Sequence, residues 1–191
     1  AANALTEQLT GNLGESIDLI EAGFLAGADA NNEYLDSLRE YPAFFREARL
    51  SGSQFISVIS QGVDQGIFSD KAVDLIKEFE IRVRELPKST VEALKSIGIT
   101  SQEIAAVIDE KGIGGAFTLV QEKLQKFADD SPQVGKALAD IFGGPGEDSG
   151  IQFVKTLDLA KDSLDDLIDP TNLLVSRQQQ QLEVSRELSL A

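Results

Sequence analysis

The sequence contains no cysteine and no histidine among its 191 residues. Without cysteine the chain can form no disulfide, no thiolate nucleophile and no thiolate metal site. Without histidine it lacks the side chain that most often serves as a general base near neutral pH. Neither a Ser-His-Asp triad nor a histidine-bearing metal site can be assembled from this chain alone. We therefore expect no enzymatic activity, no catalytic residues, no metal and no cofactor.

Methionine is also absent, including at position 1. A natural full-length chain normally starts with methionine unless it has been trimmed, so we expect this sequence to be a piece of a longer protein. No run of about 18 apolar residues is available to span a bilayer. The first residues, AANALTEQLTGNL, do not resemble a signal peptide. We therefore expect no membrane contact from this segment.

Basic residues are scarce relative to acidic ones. The chain has 17 lysines and arginines against 32 aspartates and glutamates, which gives a formal net charge of −15. Such a charge repels DNA phosphates at ordinary ionic strength, so we expect no direct nucleic-acid binding. Two interpretations of the charge remain open. It serves solubility, which is the commoner case, or it keeps a surface that lies near DNA from adhering to it.

The apolar residues, which make up 42% of the chain, recur mostly every three or four positions, the period of an α-helix. Near the start, the spacing of Ile17, Ile20, Phe24 and Leu25 predicts a stripe that faces the core. The stretch FEIRVREL at 79–86 alternates apolar and charged residues as a strand would, but it is too isolated to form a sheet, and we favour a helix there. The sequence therefore predicts an all-α fold.

Capping residues, prolines and glycines divide this pattern into separate helices. Pro42 is expected to break or restart a helix, because proline has no amide hydrogen to donate. Gly112, Gly114 and Gly115 are expected to separate two further helices. The expected N-caps are Ser51 or Ser53, Ser69–Asp70, Ser89 or Thr90, Thr100 or Ser101, and Ser131 followed by Pro132.

Two stretches of the chain are alike: LSGSQFISVI at 50–59 and ITSQEIAAVI at 99–108. Each carries a capping cluster and matching apolar positions, and each is followed by a glycine-containing loop and a second amphipathic helix. Either any capped amphipathic helix shows this pattern, or the chain holds two tandem helical units joined near Pro87. We therefore expect a multi-helix bundle or two tandem subdomains, with an N-terminal helical subdomain at 1–87 and a C-terminal one at 88–169.

The segment FGGPGEDSG, which begins at Phe142, raises the question of a phosphate-binding loop. A P-loop requires a lysine and a hydroxyl residue after its glycines, but here the acids Glu147 and Asp148 follow and would repel a phosphate. A dinucleotide-binding turn requires a preceding strand, whereas the pattern before this segment is helical. We expect a glycine stop after Phe142, a turn at Pro145, and a cap at Asp148 or Ser149 for the next helix.

The next predicted helix carries four acids at spacings of four, three and four, so they share one face: Asp158, Asp162, Asp165 and Asp169. The opposite stripe, which is predicted to be buried, consists of Phe153, Val154, Leu157, Leu164, Leu167 and Ile168. Stacked carboxylates could bind calcium or act as an acid and a base. No calcium-binding loop motif is present, however, and stacking along a helix does not converge several oxygens on one ion. A solvated acidic face is the favoured interpretation, and whether it contacts a partner stays open.

The last part of the chain, 170–191, is predicted to be a polar extending helix. Its apolar residues are sparse, and a run of four glutamines lies among them. Such a narrow stripe suits a helix that packs on a partner or continues into a long coil. The residues predicted to pack on a partner are Leu174, Val175, Leu182 and Leu188.

Residues 91–191 resemble the core region of phage tail tape measure proteins. The resemblance is carried by EALKSIGI, by the glycine-separated helix GGAFTLVQEKLQKFADD, and by QVGKALADIFGGPGEDSGIQFVKTLDLAKDSLDDLID. In that family too, a helix is followed by a short F-G-x-x-G-E/D-x-G turn and another helix. The preceding IFSDKAVDLIKEFEIRVREL resembles the same proteins more loosely, and the first 30 residues contribute little.

The resemblance implies a structural role. In such proteins, copies of a long, largely helical chain lie inside the tail tube, and the length of the chain sets the length of the tail. The implied partners are the tail tube protein, a tail assembly chaperone and other copies of the chain. The implied location is the lumen of the virion tail tube, with the host cytoplasm during assembly. No catalytic motif is carried over, and the glycines and prolines here suggest a compact domain rather than a rod.

Two other functions remain as alternatives. One is a helical protein–protein interaction or adaptor domain of a cellular protein that shares only the amphipathic spacing. The other is a cell-wall hydrolase domain, which without histidine or cysteine would depend on a carboxylate pair such as Asp165 and Asp166. Neighbouring residues on a helix point about 100° apart, so that pair is poorly placed for joint catalysis.

Overall fold

The computed structural model describes residues 1–160. Within that range every regular element is helical, which confirms the all-α prediction. The helices, in chain order, are α1 (Ala2–Leu5), α2 (Leu13–Leu25), α3 (Tyr34–Glu40), α4 (Pro42–Glu47), α5 (Gly52–Asp64), α6 (Ser69–Glu85), α7 (Lys88–Ser96), α8 (Ser101–Leu124), α9 (Pro132–Ala137) and α10 (Gly143–Thr156). π-Helical turns continue α1 at Thr6–Thr10 and α9 at Leu138–Phe142. The predicted helix at 170–191 lies outside the described residues.

Helix α6 contacts α3, α5, α8 and α10, so much of the fold is arranged around it. Its buried apolar residues recur at helical spacing, and they include Val73, Ile76, Phe79 and Val83. The charged residues between them pair along the helix, as in the ion pair between Arg84 Nε and Glu80 Oε1 at 2.9 Å. The FEIRVREL stretch belongs to this helix, so the preference for helix over strand is confirmed.

Helix α2 turns a different face to the core from the one that its apolar stripe predicts. Its buried residues are Ser16, Leu19, Ala22 and Gly23. Of the four residues predicted to face inward, Ile17 and Phe24 are exposed, and Ile20 and Leu25 are only half-buried. The predicted inward stripe is therefore wrong. The small residues decide the orientation, because they let α2 approach its neighbours closely.

The two similar stretches share a helix-ending turn. Helices α4 and α7 are each followed by a residue in the left-handed region, Arg49 with φ 59° and Gly98 with φ 81°. The next residue in each case donates its amide to the carbonyl five positions back, at 2.9 Å from Leu50 and 2.9 Å from Ile99. This hydrogen bond is the mark of a Schellman motif.

A capping box follows each of these turns. Ser51 and Gln54 exchange side-chain-to-backbone hydrogen bonds at the start of α5, and Thr100 and Glu103 do the same at the start of α8. The likeness between the two stretches therefore extends from sequence to local structure: helix, Schellman turn, capping box, helix. It is consistent with two tandem units joined near Pro87.

One hydrophobic core contains residues from both predicted subdomains. Within it, the ring of Phe79 on α6 packs edge-to-face on Phe117 of α8, with centroids 5.2 Å apart, and stacks on Phe142 at 5.3 Å. Phe117 and Phe142 complete the triangle at 5.7 Å. All three rings are fully buried. The boundary at residue 87 stays a prediction, because a shared core does not decide whether the two parts can fold separately.

Two of the predicted N-caps are wrong, because their hydroxyl groups bond to other parts of the fold. Ser69 Oγ donates to the carbonyl of Ala28 at 3.2 Å rather than capping α6. Neither Ser89 nor Thr90 caps α7, and Thr90 Oγ1 donates to the carbonyl of Asp140 at 2.5 Å. The caps that the structure confirms are Ser51, Thr100 and Ser131.

Only one of the three glycines expected to separate two helices does so. Gly112 has φ 69° and ψ −169°, and α8 is kinked there. Gly114 and Gly115 continue the helix beyond the kink. A β-carbon on Gly112 would contact the carbonyl oxygen of Ala48 at 3.6 Å, so the kink lies against the end of α4.

Candidate functional site

The glycine-rich segment after Phe142 forms the first part of α10. Gly143 has φ 69° and ψ −161°, so the chain changes direction directly after the buried Phe142 ring. Pro145 lies in the first turn of the helix, where the missing amide hydrogen is tolerated. The next irregular residue is Gly150, with φ 78° and ψ 164°. The predicted glycine stop is confirmed, and the predicted turn at Pro145 is wrong.

Neither Asp148 nor Ser149 caps the helix that follows this segment, so that prediction is also wrong. Both residues lie inside α10, ahead of the Gly150 irregularity. Asp148 Oδ2 lies 3.7 Å from Lys71 Nζ, in an exposed ion pair. Ser149 Oγ is buried and has no hydrogen-bond partner among the described residues. Glycine, rather than a capping side chain, therefore begins the second part of α10.

Glycine is required in this segment for close packing. A β-carbon on Gly143 would lie 2.9 Å from both Nε and Nη2 of Arg82, which comes from α6. A β-carbon on Gly146 would lie 3.0 Å from the carbonyl oxygen of Leu138 and would collide with the Phe142 side chain. The segment thus packs α10 against α6 and the preceding turn, and these contacts account for Gly143 and Gly146.

A charged groove of about 510 Å³ lies beside α4 and α6. It is lined by Phe44, Glu47, Arg49, Glu80, Ile81, Arg84 and Glu85. Glu80 is only 5% exposed, and its Oε1 accepts a hydrogen bond from Arg84 Nε at 2.9 Å. Arg84 Nη2 also donates to the carbonyl of Glu47 at 3.1 Å. This network links the end of α4 to α6.

Burial has the largest effect on the pKa of the Glu80 carboxyl group. Loss of hydration raises its pKa above the ordinary value of 4.5, the hydrogen bond and charge of Arg84 lower it in part, and the charge of Glu47 raises it further. A raised carboxyl pKa in a groove is one mark of a general acid. Here, however, the carboxylate is already engaged by Arg84, so the geometry favours a structural ion pair.

A smaller pocket of about 250 Å³ lies between α5, α8 and the end of the described chain. Its lining consists of Arg49, Leu50, Gln54, Lys111, Gly114, Gly115, Thr118, Leu159 and Ala160. Arg49 and Lys111 bring positive charge from two different elements. Gln54 Nε2 donates to the carbonyl of Leu159 at 2.6 Å. This lining suits electrostatic contact with an acidic group.

The predicted acidic face is only partly within the described residues. The helix expected to carry it ends at Thr156, and Leu157 is extended, so Asp158 lies beyond the helix, and the prediction that it shares a helical face is wrong. The backbone amide of Asp158 donates to Gln61 Oε1 at 2.8 Å, and its carbonyl accepts from Gln61 Nε2 at 2.9 Å. These two bonds end the helix by holding the chain against α5.

Only the first part of the predicted apolar stripe lies within the described residues. Phe153, Val154 and Leu157 are buried, as expected for the apolar stripe. The other acids of the face lie outside the described residues, as do the rest of the stripe, the Asp165–Asp166 pair and the residues predicted to pack on a partner: Asp162, Asp165, Asp169, Leu164, Leu167, Ile168, Leu174, Val175, Leu182 and Leu188.

No group of three or more acidic side chains within residues 1–160 is arranged to hold a metal ion. In the same range, no helix combines the length and the apolar character that crossing a bilayer requires.

The described part of the chain is thus an all-helical domain in which Gly143 and Gly146 permit close packing and the buried Glu80 is paired with Arg84. Comparison with protein families identifies its class: a family model described as "phage-related minor tail protein" matches residues 2–143, which is more than half of the chain. The chain belongs to the phage-related minor tail protein family and is a structural component of phage tails. Comparison with curated proteins and with solved structures found no match.

The matched range differs from the range that carries the tape measure resemblance. The family match begins at residue 2, so it includes the first 30 residues, which contribute little to that resemblance. It ends at 143, before most of the glycine-rich segment. The two therefore overlap in 91–143, which contains most of α7 and all of α8 and α9.

Proposed function

We propose that the chain is a folded segment of a tail tape measure protein. Family membership over 2–143 supports a structural role in the phage tail. The resemblance of 91–191 to the core region of tape measure proteins supports this particular role. The overlap of the two in 91–143 is the observation that carries the proposal, because the same helices support both.

The proposed contribution of this segment is a compact domain rather than a length of rod. A single helix of 191 residues would extend to about 290 Å at about 1.5 Å per residue. The described chain is instead divided into helices of 24 residues or fewer, which pack on a shared core. The segment would therefore act through its shape and its contacts, and no bond-making step is part of the proposal.

The proposed location is the lumen of the virion tail tube, with the host cytoplasm during assembly. A net charge of −15 is compatible with a compartment through which DNA passes, because like charges limit adhesion of the genome to the protein. The proposed partners are the tail tube protein, the tail assembly chaperone and other copies of the chain.

Binding to the tail tube protein tests this proposal. The full chain would be co-expressed with the tube protein and the tail assembly chaperone of the same phage, purified through a tag, and sized by light scattering. We expect retention of at least one of these proteins, or self-association of the chain. A folded chain that stays monomeric and retains neither protein would contradict the proposal.

A further inference from the structure

Helix α2 presents an apolar stripe to solvent. Leu13 is 50% exposed, Ile17 51% and Phe24 44%, and the half-buried Ile20 lies between them. These four residues follow one another at spacings of four, three and four, so they form a single row along the helix. We name this row the α2 stripe. Its residues have the spacing with which one helix packs along another.

The outward orientation of the α2 stripe is fixed by contacts of the buried side of the helix, and the Phe24 ring packs edge-to-face on Tyr34 with centroids 5.2 Å apart. Gly23 lies against the Tyr34 hydroxyl, and the Leu19 side chain lies so close to Gly52 of α5 that a β-carbon there would come within 2.6 Å of Leu19 Cδ1. Rotating α2 to bury the stripe would break both contacts. The exposed apolar residues are therefore a stable feature of the fold.

The surroundings of the α2 stripe are acidic. The first 38 residues contain seven acidic side chains and neither lysine nor arginine: Glu7, Glu15, Asp18, Glu21, Asp29, Glu33 and Asp36. At about 100° per residue, Glu21 projects beside the stripe, about 70° from its centre line, whereas Asp18 projects about 130° from that line. Both are exposed. A partner that buries the stripe must therefore meet the Glu21 carboxylate, and the Asp18 carboxylate adds to the negative charge nearby.

The acidic charge around the α2 stripe distinguishes among the segments that could pack on it. A second copy of the same face would bring like charges together, which disfavours pairing of two α2 stripes. Residues 161–191 of this chain carry six acidic and three basic side chains, so like charge disfavours them too, although less strongly. A helix with lysine or arginine beside its apolar row would instead pack that row on the stripe and pair its basic side chains with the acidic edge.

We propose that the α2 stripe is a docking surface for an amphipathic helix of a partner protein, with basic residues flanking its apolar row. The stripe buries Ile17 and Phe24 against that helix, Glu21 pairs with one of its basic side chains, and Asp18 strengthens the local negative charge. This inference rests on α2 and its neighbours, and it is independent of the tape measure assignment.

The probe for this surface is a synthetic helical peptide of about 20 residues, long enough to hold a helix, with leucines at three- and four-residue spacing and lysines beside them. A second peptide carries glutamate in place of every lysine. We expect the full chain to bind the lysine peptide and not the glutamate peptide, with the dissociation constants measured by calorimetry. Ile17→Ser is expected to weaken binding by about tenfold or more, because it removes one buried apolar side chain.

Two matched double charge reversals distinguish binding at the α2 stripe from a general effect of net charge. Asp18→Lys with Glu21→Lys changes the net charge by the same amount as Asp109→Lys with Glu110→Lys, and the second pair is exposed on α8. We expect the α2 pair to abolish binding and the α8 pair to leave it nearly unchanged. Equal weakening by both pairs would overturn the proposal, because binding would then follow net charge alone.

Two further measurements distinguish the other occupants. Self-association of the full chain that is lost in Ile17→Ser would show that a second copy occupies the stripe, and would overturn the proposal. Hydroxyl-radical footprinting of the free monomer is expected to label Leu13, Ile17 and Phe24 strongly. Protection of these residues in the free monomer would show that the chain itself covers them, which would equally overturn it. Circular dichroism of each variant confirms that the fold is retained.

Discussion

The hydroxyl oxygen of Tyr34 occupies the place that a β-carbon on Gly23 would take. The same oxygen lies 3.3 Å from the carbonyl oxygens of Leu19 and Ile20, to which it donates. Burial raises the pKa of the Tyr34 hydroxyl, so it stays protonated and remains a donor. This contact sets the rotation of α2 about its axis, and with it the outward direction of Ile17 and Phe24.

Gly23→Ala is expected to lower the free energy of unfolding by about 1–3 kcal/mol, because the added methyl group forces Tyr34 out of its position. Urea unfolding followed by circular dichroism measures the change. Gly135→Ala in α9 is the matched control, since a β-carbon there meets no atom within 4 Å. The control is expected to gain about 0.5–1 kcal/mol from reduced chain entropy. Equal stability of the two variants would contradict the proposed contact.

Phe117→Ala is expected to lower the free energy of unfolding by about 3–5 kcal/mol, because it leaves a cavity between Phe79 and Phe142. Phe68→Ala is the control, since Phe68 is 56% exposed and its loss is expected to change stability by about 0.5 kcal/mol or less. Thermal unfolding by calorimetry distinguishes the two. A small effect of Phe117→Ala would show that the three rings do not form a close-packed part of the core.

Substitutions at the left-handed residues of the two Schellman turns are expected to change the free energy of unfolding in opposite directions. Arg49→Gly is expected to raise the free energy of unfolding by about 0.5–1 kcal/mol, because glycine adopts the left-handed conformation without strain. Gly98→Ala is expected to lower the free energy of unfolding by about 1 kcal/mol, because alanine is strained in the left-handed conformation. Denaturant unfolding of both variants tests the pair. Changes of the same sign would indicate that the turns are not equivalent.

Glu80→Gln tests the buried carboxyl group through its pH dependence. The folded-state pKa of Glu80 lies above its ordinary value of 4.5, so the folded protein disfavours the ionised form. Below pH 4.5 the group is protonated in both states and resembles glutamine. As the pH rises through the folded-state pKa, the wild-type chain loses stability that the variant does not lose. The stability difference in favour of Glu80→Gln should therefore grow with pH and level off once the pH has passed the folded-state pKa.

Glu85→Gln is the control for that experiment, because it removes the same charge from an exposed position in the same groove. Unfolding curves recorded between about pH 4 and pH 8 are expected to show a smaller and flatter difference for this control. A Glu80→Gln variant that loses stability relative to wild type as the pH rises would mean that the ion pair with Arg84 outweighs the loss of hydration.

Local features of the fold could be predicted from the sequence because they depend on residues a few positions apart. The caps at Ser51, Thr100 and Ser131 follow from side chains that bond to amides within three residues. The glycine stop after Phe142 has the same local origin. The helical period also predicted the all-α fold, because most buried apolar residues recur at three and four.

Features that depend on distant parts of the chain could not be predicted in this way. The hydroxyls of Ser69 and Thr90 have the chemistry of caps, but each finds a carbonyl on a distant element. The orientation of α2 depends on Tyr34, and the only sequence signal for it is the row of small residues that includes Ala22 and Gly23. Apolar spacing alone therefore misidentified the buried face of this helix, and the stripe was missed as a surface.

We propose that this segment acts as a structural part of a tail tape measure protein. The most direct test is to delete its codons in frame from the parent gene of the phage and to measure the number and length of tails by electron microscopy. If the segment is part of a tape measure protein, tails are expected to become shorter or fail to assemble, while heads form normally. Tails of unchanged number and length would contradict it.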